Sequence, residues 1–310
     1  MVERARGAAR APRRSLPPIV LVAGIAFAIG CGGEKEPDMP AVKPPVNQEG
    51  LRDFNTAELD TLRALKKRLG VTRDEYWDDR GGVLANDACE VWYPPGKMTV
   101  SHGMYVLDYM MKCRRTIDDM FGRLPEGKLT VVCAQTMEAY TEATGRQWWH
   151  YARLDDDRIT YQPVPILVGR GLVDIAVPRE CYEWHLMRLT RERAPLWLIE
   201  GFASTLSNEW TILEDNLTEF PGEAVHMTIG EVESALDADD DRKRARIAYY
   251  NAMRMVDRLI GERGQDKVVA MIRAIAEGAR PEAAAVSVYG TSYDELVADA
   301  GRWESGNAGE

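Results

Sequence analysis

At 310 residues, with 45% hydrophobic and 28% charged side chains, the chain carries enough apolar material for one large folded domain or two small ones. Its formal net charge of −10 argues against nucleic acid as a partner. There is no Gly-x-Ser-x-Gly elbow, phosphate loop or dinucleotide fingerprint, so the commonest serine-hydrolase and nucleotide-binding signatures are excluded.

The chain opens with Arg4, Arg6, Arg10, Arg13 and Arg14, continues through an apolar run from Pro17 to Gly30, and reaches Cys31-Gly32-Gly33. This basic, apolar, small-residue order predicts a secretory signal over residues 1–30. The apolar run falls short of the roughly twenty residues that a bilayer span needs, so a cleaved signal is expected rather than a permanent helix. Ala28-Ile29-Gly30-Cys31 resembles the lipobox of bacterial lipoproteins, which implies that Cys31 is lipidated and becomes the mature N-terminus. The expected location is the extracytoplasmic side of the cell envelope, and Gly32 after the cysteine favours the outer membrane. Loss of residues 1–30 removes five Arg and one Glu, taking the net charge from −10 to −14. Attachment must then come from the acyl group rather than from basic patches. Residues 31–54, rich in proline and charge, predict an extended tether.

In the segment 55–80, Asn55 and Glu58 precede Leu59, Leu62, Leu65 and Leu69 at helical spacing, with Gly70 closing; this predicts a capped docking helix. Residues 83–93 read as one strand ending at Pro94-Pro95-Gly96, 101–121 as a long helix, 128–133 as a strand, and Thr136 to Gly145 as a short helix. The stretch 146–170, with Trp148, Trp149 and His150, reads as a long loop or irregular hairpin able to line a cleft. Residues 171–177 read as a further strand, with Pro178 as the first residue of the next helix. From about residue 243 the pattern is helical: 244–260, 265–277, 281–288 and 293–303. Strands followed by helices predict an α+β arrangement, with an α+β domain over 81–208 and a helical part over 209–305.

Two consecutive segments carry the chemistry: Arg179-Glu180-Cys181-Tyr182-Glu183-Trp184-His185-Leu186-Met187-Arg188-Leu189 and Ala194-Pro195-Leu196-Trp197-Leu198-Ile199-Glu200-Gly201-Phe202-Ala203. They resemble the paired active-site helices of gluzincin metallopeptidases, in particular the bacterial peptidase-MA-like proteins. One helix there bears His-Glu-x-x-His, and the next bears Pro-x-Trp-Leu-x-Glu-Gly-x-Ala. Residues four apart share a helix face, so two ligands meet one ion and a carboxylate from the next helix completes the set. The resemblance covers roughly residues 83–303 and implies a zincin-like fold: a small mixed sheet, active-site-type helices and a helical C-terminal part. Laid on this chain, it puts His185 at the second histidine and Glu200 at the third ligand, while Cys181 replaces the first histidine and Tyr182 the general base. Glu183 stands one residue from the base position, about 100° around the helix, and is not expected to substitute. Tyrosine, with a reference pKa near 10, is a poor base at neutral pH, and losing the base typically costs on the order of a hundredfold or more in rate.

The reading that follows is a lipid-anchored protein whose degenerate metallopeptidase-like domain binds a peptide, protein or envelope component without hydrolysing it. No cofactor is required by that reading. The ligand groove is expected between strand 171–177 and the helix of His185, bordered by Val173, Trp148 and Trp149, with a peptide adding as a strand. The alternatives are an atypical zinc hydrolase using Cys181, His185 and Glu200, and a structural envelope scaffold. His102 and His226 read as structural; Asp155-Asp156-Asp157, and Asp237 with Asp239-Asp240-Asp241, read as solvated turns that lack the glycine and distal glutamate of a calcium loop. At most one disulfide is expected, among Cys89, Cys113 and Cys133.

Overall fold

A computed structural model describes residues 56–77, 79–96, 99–210, 212–213, 226–238 and 241–302. The signal segment, Cys31, the tether and Asn55 lie outside the described residues, as do Asp239 and Asp240.

The first helix, α1 (Thr56–Arg68), buries Leu62 and is followed by the buried Leu69 and by Gly70 at φ 63°. It leads into β1 (Arg73–Trp77), a strand with no alternation to announce it: Arg73-Asp74-Glu75 is polar, and the strand exists because it pairs antiparallel with β2 (Gly81–Ala85). The single strand expected over 83–93 is in fact a hairpin. β2 turns at Asn86 into β3 (Cys89–Tyr93), and the Asn86 side chain makes the turn, its oxygen accepting from the N–H groups of Ala88 (3.0 Å) and Cys89 (2.9 Å). Asn86 Nδ2 donates to the Leu69 carbonyl at 2.9 Å, which fastens the hairpin to the end of α1.

The long helix α2 (Thr99–Phe121) then crosses to β4 (Leu129–Cys133), which lies parallel to β3. α3 (Met137–Thr144) is bounded as its sequence predicts: Thr136 accepts from Ala139 N–H at the start, and Gly145 takes φ 67° at the end. The stretch 146–170 holds a hairpin of β5 (Ala152–Asp155) and β6 (Arg158–Tyr161), followed by the short helix α4 (Val164–Gly169). The six strands form one mixed sheet in the order β1-β2-β3-β4-β6-β5, parallel through β3-β4-β6 and antiparallel elsewhere. Cys89, Val91 and Tyr93 of β3 and Leu129, Val131 and Cys133 of β4 face the core, in the two-residue period of a half-buried sheet.

The strand expected over 171–177 is overturned. Val173–Thr190 is a single helix, α5, and Pro178 lies inside it rather than at its start. A short β-branched run that is buried looks the same whether it is strand or helix; here Val173, Ala176 and Val177 are covered on all sides. Pro178 offers no N–H to the carbonyl four residues back, yet the helix continues because its neighbours hold it. Tyr161 donates to the Val177 carbonyl at 2.9 Å, and Tyr105 and Tyr109 donate to the Asp174 carboxylate at 2.5 and 3.0 Å.

The remainder is helical: α6 (Leu196–Ser207), α7 (Ile229–Ala238), α8 (Arg242–Arg263), α9 (Gln265–Ala276), α10 (Pro281–Tyr289) and α11 (Tyr293–Ala300). One hydrophobic core runs from Leu62 of α1 to Ala300 of α11, so the docking helix, the sheet and the helical part belong to one packed body. The α6–α8 crossing is unusually close: a Cβ on Gly201 would stand 2.2 Å from the Ala252 carbonyl oxygen, so only glycine fits there. At the start of α6, the N–H of Trp197 is taken by Glu233 of α7 (3.0 Å) and its indole N–H by Tyr293 (2.9 Å). These contacts fix α6 between α5 and α8.

Candidate functional site

Cys181 and His185 share one face of α5, turned toward α2, where Cys181 Sγ lies 3.9 Å from the Met110 carbonyl. His185 Nδ1 is 2.8 Å from the Cys181 carbonyl, to which it can only donate, and 3.6 Å from Cys181 Sγ. The other ring nitrogen, Nε2, is buried without a hydrogen-bond partner. Burial pushes the His185 pKa down to about 4, against the opposing pull of the Cys181 carbonyl, with Arg114 adding to the fall. Burial also holds the Cys181 thiol well above its ordinary value and raises the Tyr182 phenol. The neutral imidazole is the form a metal binds, whereas the buried thiol is held in its protonated, non-ligating form.

Glu200 does not join them. Its carboxylate accepts from Arg179 Nη2 at 2.5 Å, and Arg179 lies about 200° around α5 from Cys181. Among the described residues, no group of three or more His, Cys, Asp or Glu side chains is placed to hold a metal ion. The candidate ligand set Cys181, His185 and Glu200 is therefore split between opposite faces of α5.

The groups that Glu200 does meet form a different centre. The Arg179 guanidinium is buried and contacts Glu180 (2.5 Å), Glu183 (3.1 Å), Glu200 (2.5 Å) and, through Nε, Glu209 (3.3 Å). All three kinds of guanidinium nitrogen are thus engaged by carboxylates from α5, α6 and the turn after α6. Asn208, with φ 58°, ends α6 and swings the chain back so that Glu209 N–H bonds the Ser204 carbonyl and Glu209 accepts from the Ser204 hydroxyl at 2.6 Å. On the far side, Arg179 Cζ sits 4.9 Å from the centre of the Tyr249 ring of α8, a helix that the bare Gly201 allows to approach. Burial alone would lower the pKa of this guanidinium, but Glu180, Glu200, Glu209 and Glu183 outweigh it and hold the pKa well above the usual arginine value. One guanidinium against four carboxylates lowers the cost of burying them without cancelling their charge.

The aromatic stretch borders this centre. His150 stacks on Trp149 with ring centres 3.6 Å apart; burial pushes its pKa down to about 3, helped by the charges of Arg146, Arg179, Arg153 and Arg246. Gln162 Nε2 ties the segment down by donating to the carbonyls of Trp148 (2.6 Å) and His150 (2.7 Å). Trp148 itself is 55% exposed, with the Arg242 guanidinium 5.1 Å from its ring. The Tyr140 hydroxyl is buried without a hydrogen-bond partner, and its pKa is raised by burial and by the charge of Glu180. Val173, expected on a groove-lining strand, is instead a buried residue in the first turn of α5.

Searches against protein-family models and against curated proteins return no match for this chain.

The remaining candidates have structural roles. Asp155 and Asp157 flank the β5–β6 turn at Asp156 (φ 49°); Asp155 binds Arg153, and Asp157 accepts from Trp184 Nε1 (3.1 Å) and pairs with Arg188. That turn is thus fastened to α5 rather than merely solvated. His102 lies in the first turn of α2, its pKa lowered by burial. Cys89, Cys113, Cys133 and Cys181 are all buried free thiols. What the sequence reading missed is Arg179 with Glu180, Glu183 and Glu209. The available signal was spacing: positions i, i+1 and i+4 on one helix, seventeen residues before Glu200 when counted from Glu183.

Proposed function

We propose that this chain is a lipid-anchored extracytoplasmic protein with a zincin-like, metallopeptidase-derived domain that binds a peptide or protein of the envelope without hydrolysing it. The observation that carries the reading is the position of the Arg179 guanidinium, at the centre of Glu180, Glu183, Glu200 and Glu209. Arg179-Glu180-x-x-Glu183 has the spacing of His-Glu-x-x-His, two residues earlier than the alignment through Cys181 and His185. In this register Arg179 and Glu183 take the two histidine positions, Glu180 the general-base position and Glu200 the third ligand. A side-chain cation then occupies the centre that a zinc ion would otherwise hold. A guanidinium has no open coordination position and does not ionise a water at neutral pH, which are the two properties metal-assisted hydrolysis needs.

The groove moves accordingly. With 171–177 helical, the outer strand nearest α5 is β5, at the end of the sheet and packed against that helix. Its outward backbone groups offer a peptide the main-chain hydrogen bonds of strand addition, with Trp148 and Trp149 just upstream. Anchoring through Cys31 rests on the lipobox resemblance; among the described residues no helix is long and apolar enough to cross a membrane.

The test is a paired measurement on the purified protein, prepared without chelator: bound zinc by elemental analysis, and cleavage and capture of a peptide library. The expected result is substoichiometric zinc, no cleavage, and capture that chelator leaves unchanged. One zinc per chain together with peptide cleavage abolished by Glu180→Gln or His185→Ala would overturn the proposal.

A further inference from the structure

Where α2 crosses α5, two cysteines face one another. Cys113 and Cys181 are 1% and 0% exposed. Each sulfur reaches the backbone of the opposite helix at the carbonyl three residues before the other cysteine: Cys113 Sγ is 3.8 Å from Pro178 O, and Cys181 Sγ is 3.9 Å from Met110 O. Cys113 is also among the neighbours that hold the Cys181 thiol above its ordinary pKa, after burial. This reciprocal placement sets the two side chains on the facing sides of the two helices at the same level of the crossing, as a bridge between them needs. The other cysteines are differently placed. Cys89 is opposite Leu129 in the β3–β4 register, four residues from Cys133 along the neighbouring strand, which at about 3.3 Å per residue is too far for a bridge.

We infer that Cys113 and Cys181 are joined by a disulfide when the chain folds under an oxidant, so that α2 and α5 are covalently tied. The inference rests on the proposed export for its setting, because such bonds persist in oxidising compartments. The chemistry balances through thiol–disulfide exchange: the two thiols lose two protons and two electrons, one S–S bond forms, and the disulfide of a small-molecule or protein donor is reduced to two thiols. Both sulfurs are sealed in the core of the folded protein, so the bond must close during folding, before the crossing excludes the donor. The loop it closes contains β4, α3, the β5–β6 hairpin and α4, with Tyr140 on α3 and Trp149 and His150 between α3 and β5. The bridge therefore ties the two ends of that segment together, α2 to the helix that bears Arg179.

The experiment uses the full chain with Cys31→Ser, so that the unlipidated cysteine does not interfere. The protein is unfolded and reduced, then refolded in a glutathione buffer poised at roughly −200 mV. It is next denatured, treated with an alkylating tag and digested. Peptides bearing Cys113 and Cys181 should be linked and untagged, and both should take the tag after reduction; Cys89 and Cys133 should be tagged throughout. Adding Cys89→Ser or Cys133→Ser should leave the link intact, whereas Cys113→Ser should leave Cys181 tagged. Tagged Cys113 and Cys181 in refolded, unmutated-core protein, or a link to Cys89 or Cys133, overturns the inference without any variant that could misfold. The same mapping on unaltered protein from cells separates the two proposals. Lipidated Cys31 with a reduced Cys113–Cys181 pair sinks only the disulfide; unlipidated, cytosolic protein sinks the export, and the refolding result alone then decides the bridge.

Discussion

Replacing Arg179 by Met would leave Glu180, Glu200 and Glu209 buried, and Glu183 half-buried, around an uncharged side chain. Breaking a buried ion cluster by removing one partner costs about 3–5 kcal/mol, because the remaining charges are neither solvated nor neutralised. Arg179→Met should therefore lower the urea midpoint strongly at pH 7. The deficit should shrink when Glu200→Gln is added, because one fewer charge is then left without its partner. An equal deficit in the double variant would show that charge is not the cause. His185 makes stability depend on pH. Its folded pKa of about 4 lies below the unfolded value of 6.5, so between those values the unfolded chain binds the proton and the folded one does not. Stability contributed by keeping this ring neutral is complete above pH 6.5 and falls as the pH drops toward 4, by roughly 3 kcal/mol in all. His185→Leu should flatten that part of the stability-versus-pH curve, measured by denaturant titration at several pH values; an unchanged slope would refute the assignment. Arg179 itself was poorly legible in the sequence, because an arginine among glutamates on a helix normally reads as a solvated face. Glu200 was legible, since it sits in a Trp-Leu-Ile-Glu-Gly segment, but its partners were sought by residue type, and cysteine and histidine drew attention two residues too late.

The elements that the sequence disclosed are those whose ends are chemically marked. Thr136 and Gly145 bracket α3, and Gly264 and Gly290 punctuate the C-terminal helices, because those positions need a side-chain acceptor or a backbone conformation few residues adopt. The elements that escaped are set by partners distant in sequence. β1 is polar and is a strand only through β2; the hairpin at Asn86 was read through as one strand; residues 173–177 open α5, where Tyr105 and Tyr109 hold Asp174 and Tyr161 holds the Val177 carbonyl. The α6–α8 crossing belongs at this scale too. Gly201 in the middle of α6 looks like a helix-weakening residue, yet a side-chain carbon there would collide with the Ala252 carbonyl at 2.2 Å, and that atom is backbone and has nowhere to yield. Gly201→Ala is expected to cost about 2–3 kcal/mol despite alanine's better helix propensity, and to displace Tyr249 from its place over Arg179. A thermal melt gives the first quantity. If the variant is as stable as the parent, the crossing is looser than described.

At the scale of the molecule, the charge distribution decides how the protein can meet a membrane. Without residues 1–30 the formal charge is −14, and an acidic body is repelled by anionic headgroups rather than drawn to them. Among the described residues no helix offers an apolar span either. The proposed anchor therefore has to supply all of the attraction through its acyl chains, at about 0.8 kcal/mol per buried methylene and with more than one chain needed for stable attachment. Two consequences follow that a peripheral, charge-held protein would not share. High salt should leave the wild-type protein in the membrane pellet and detergent should release it, because screening does not weaken an apolar anchor. Cys31→Ser should move the protein out of that pellet, since it removes the atom that would carry the acyl chains. Retention of Cys31→Ser in the pellet after a salt wash would show that some other surface holds the membrane, and the uncovered Trp148, 55% exposed beside Arg242, would then be the first place to look for it.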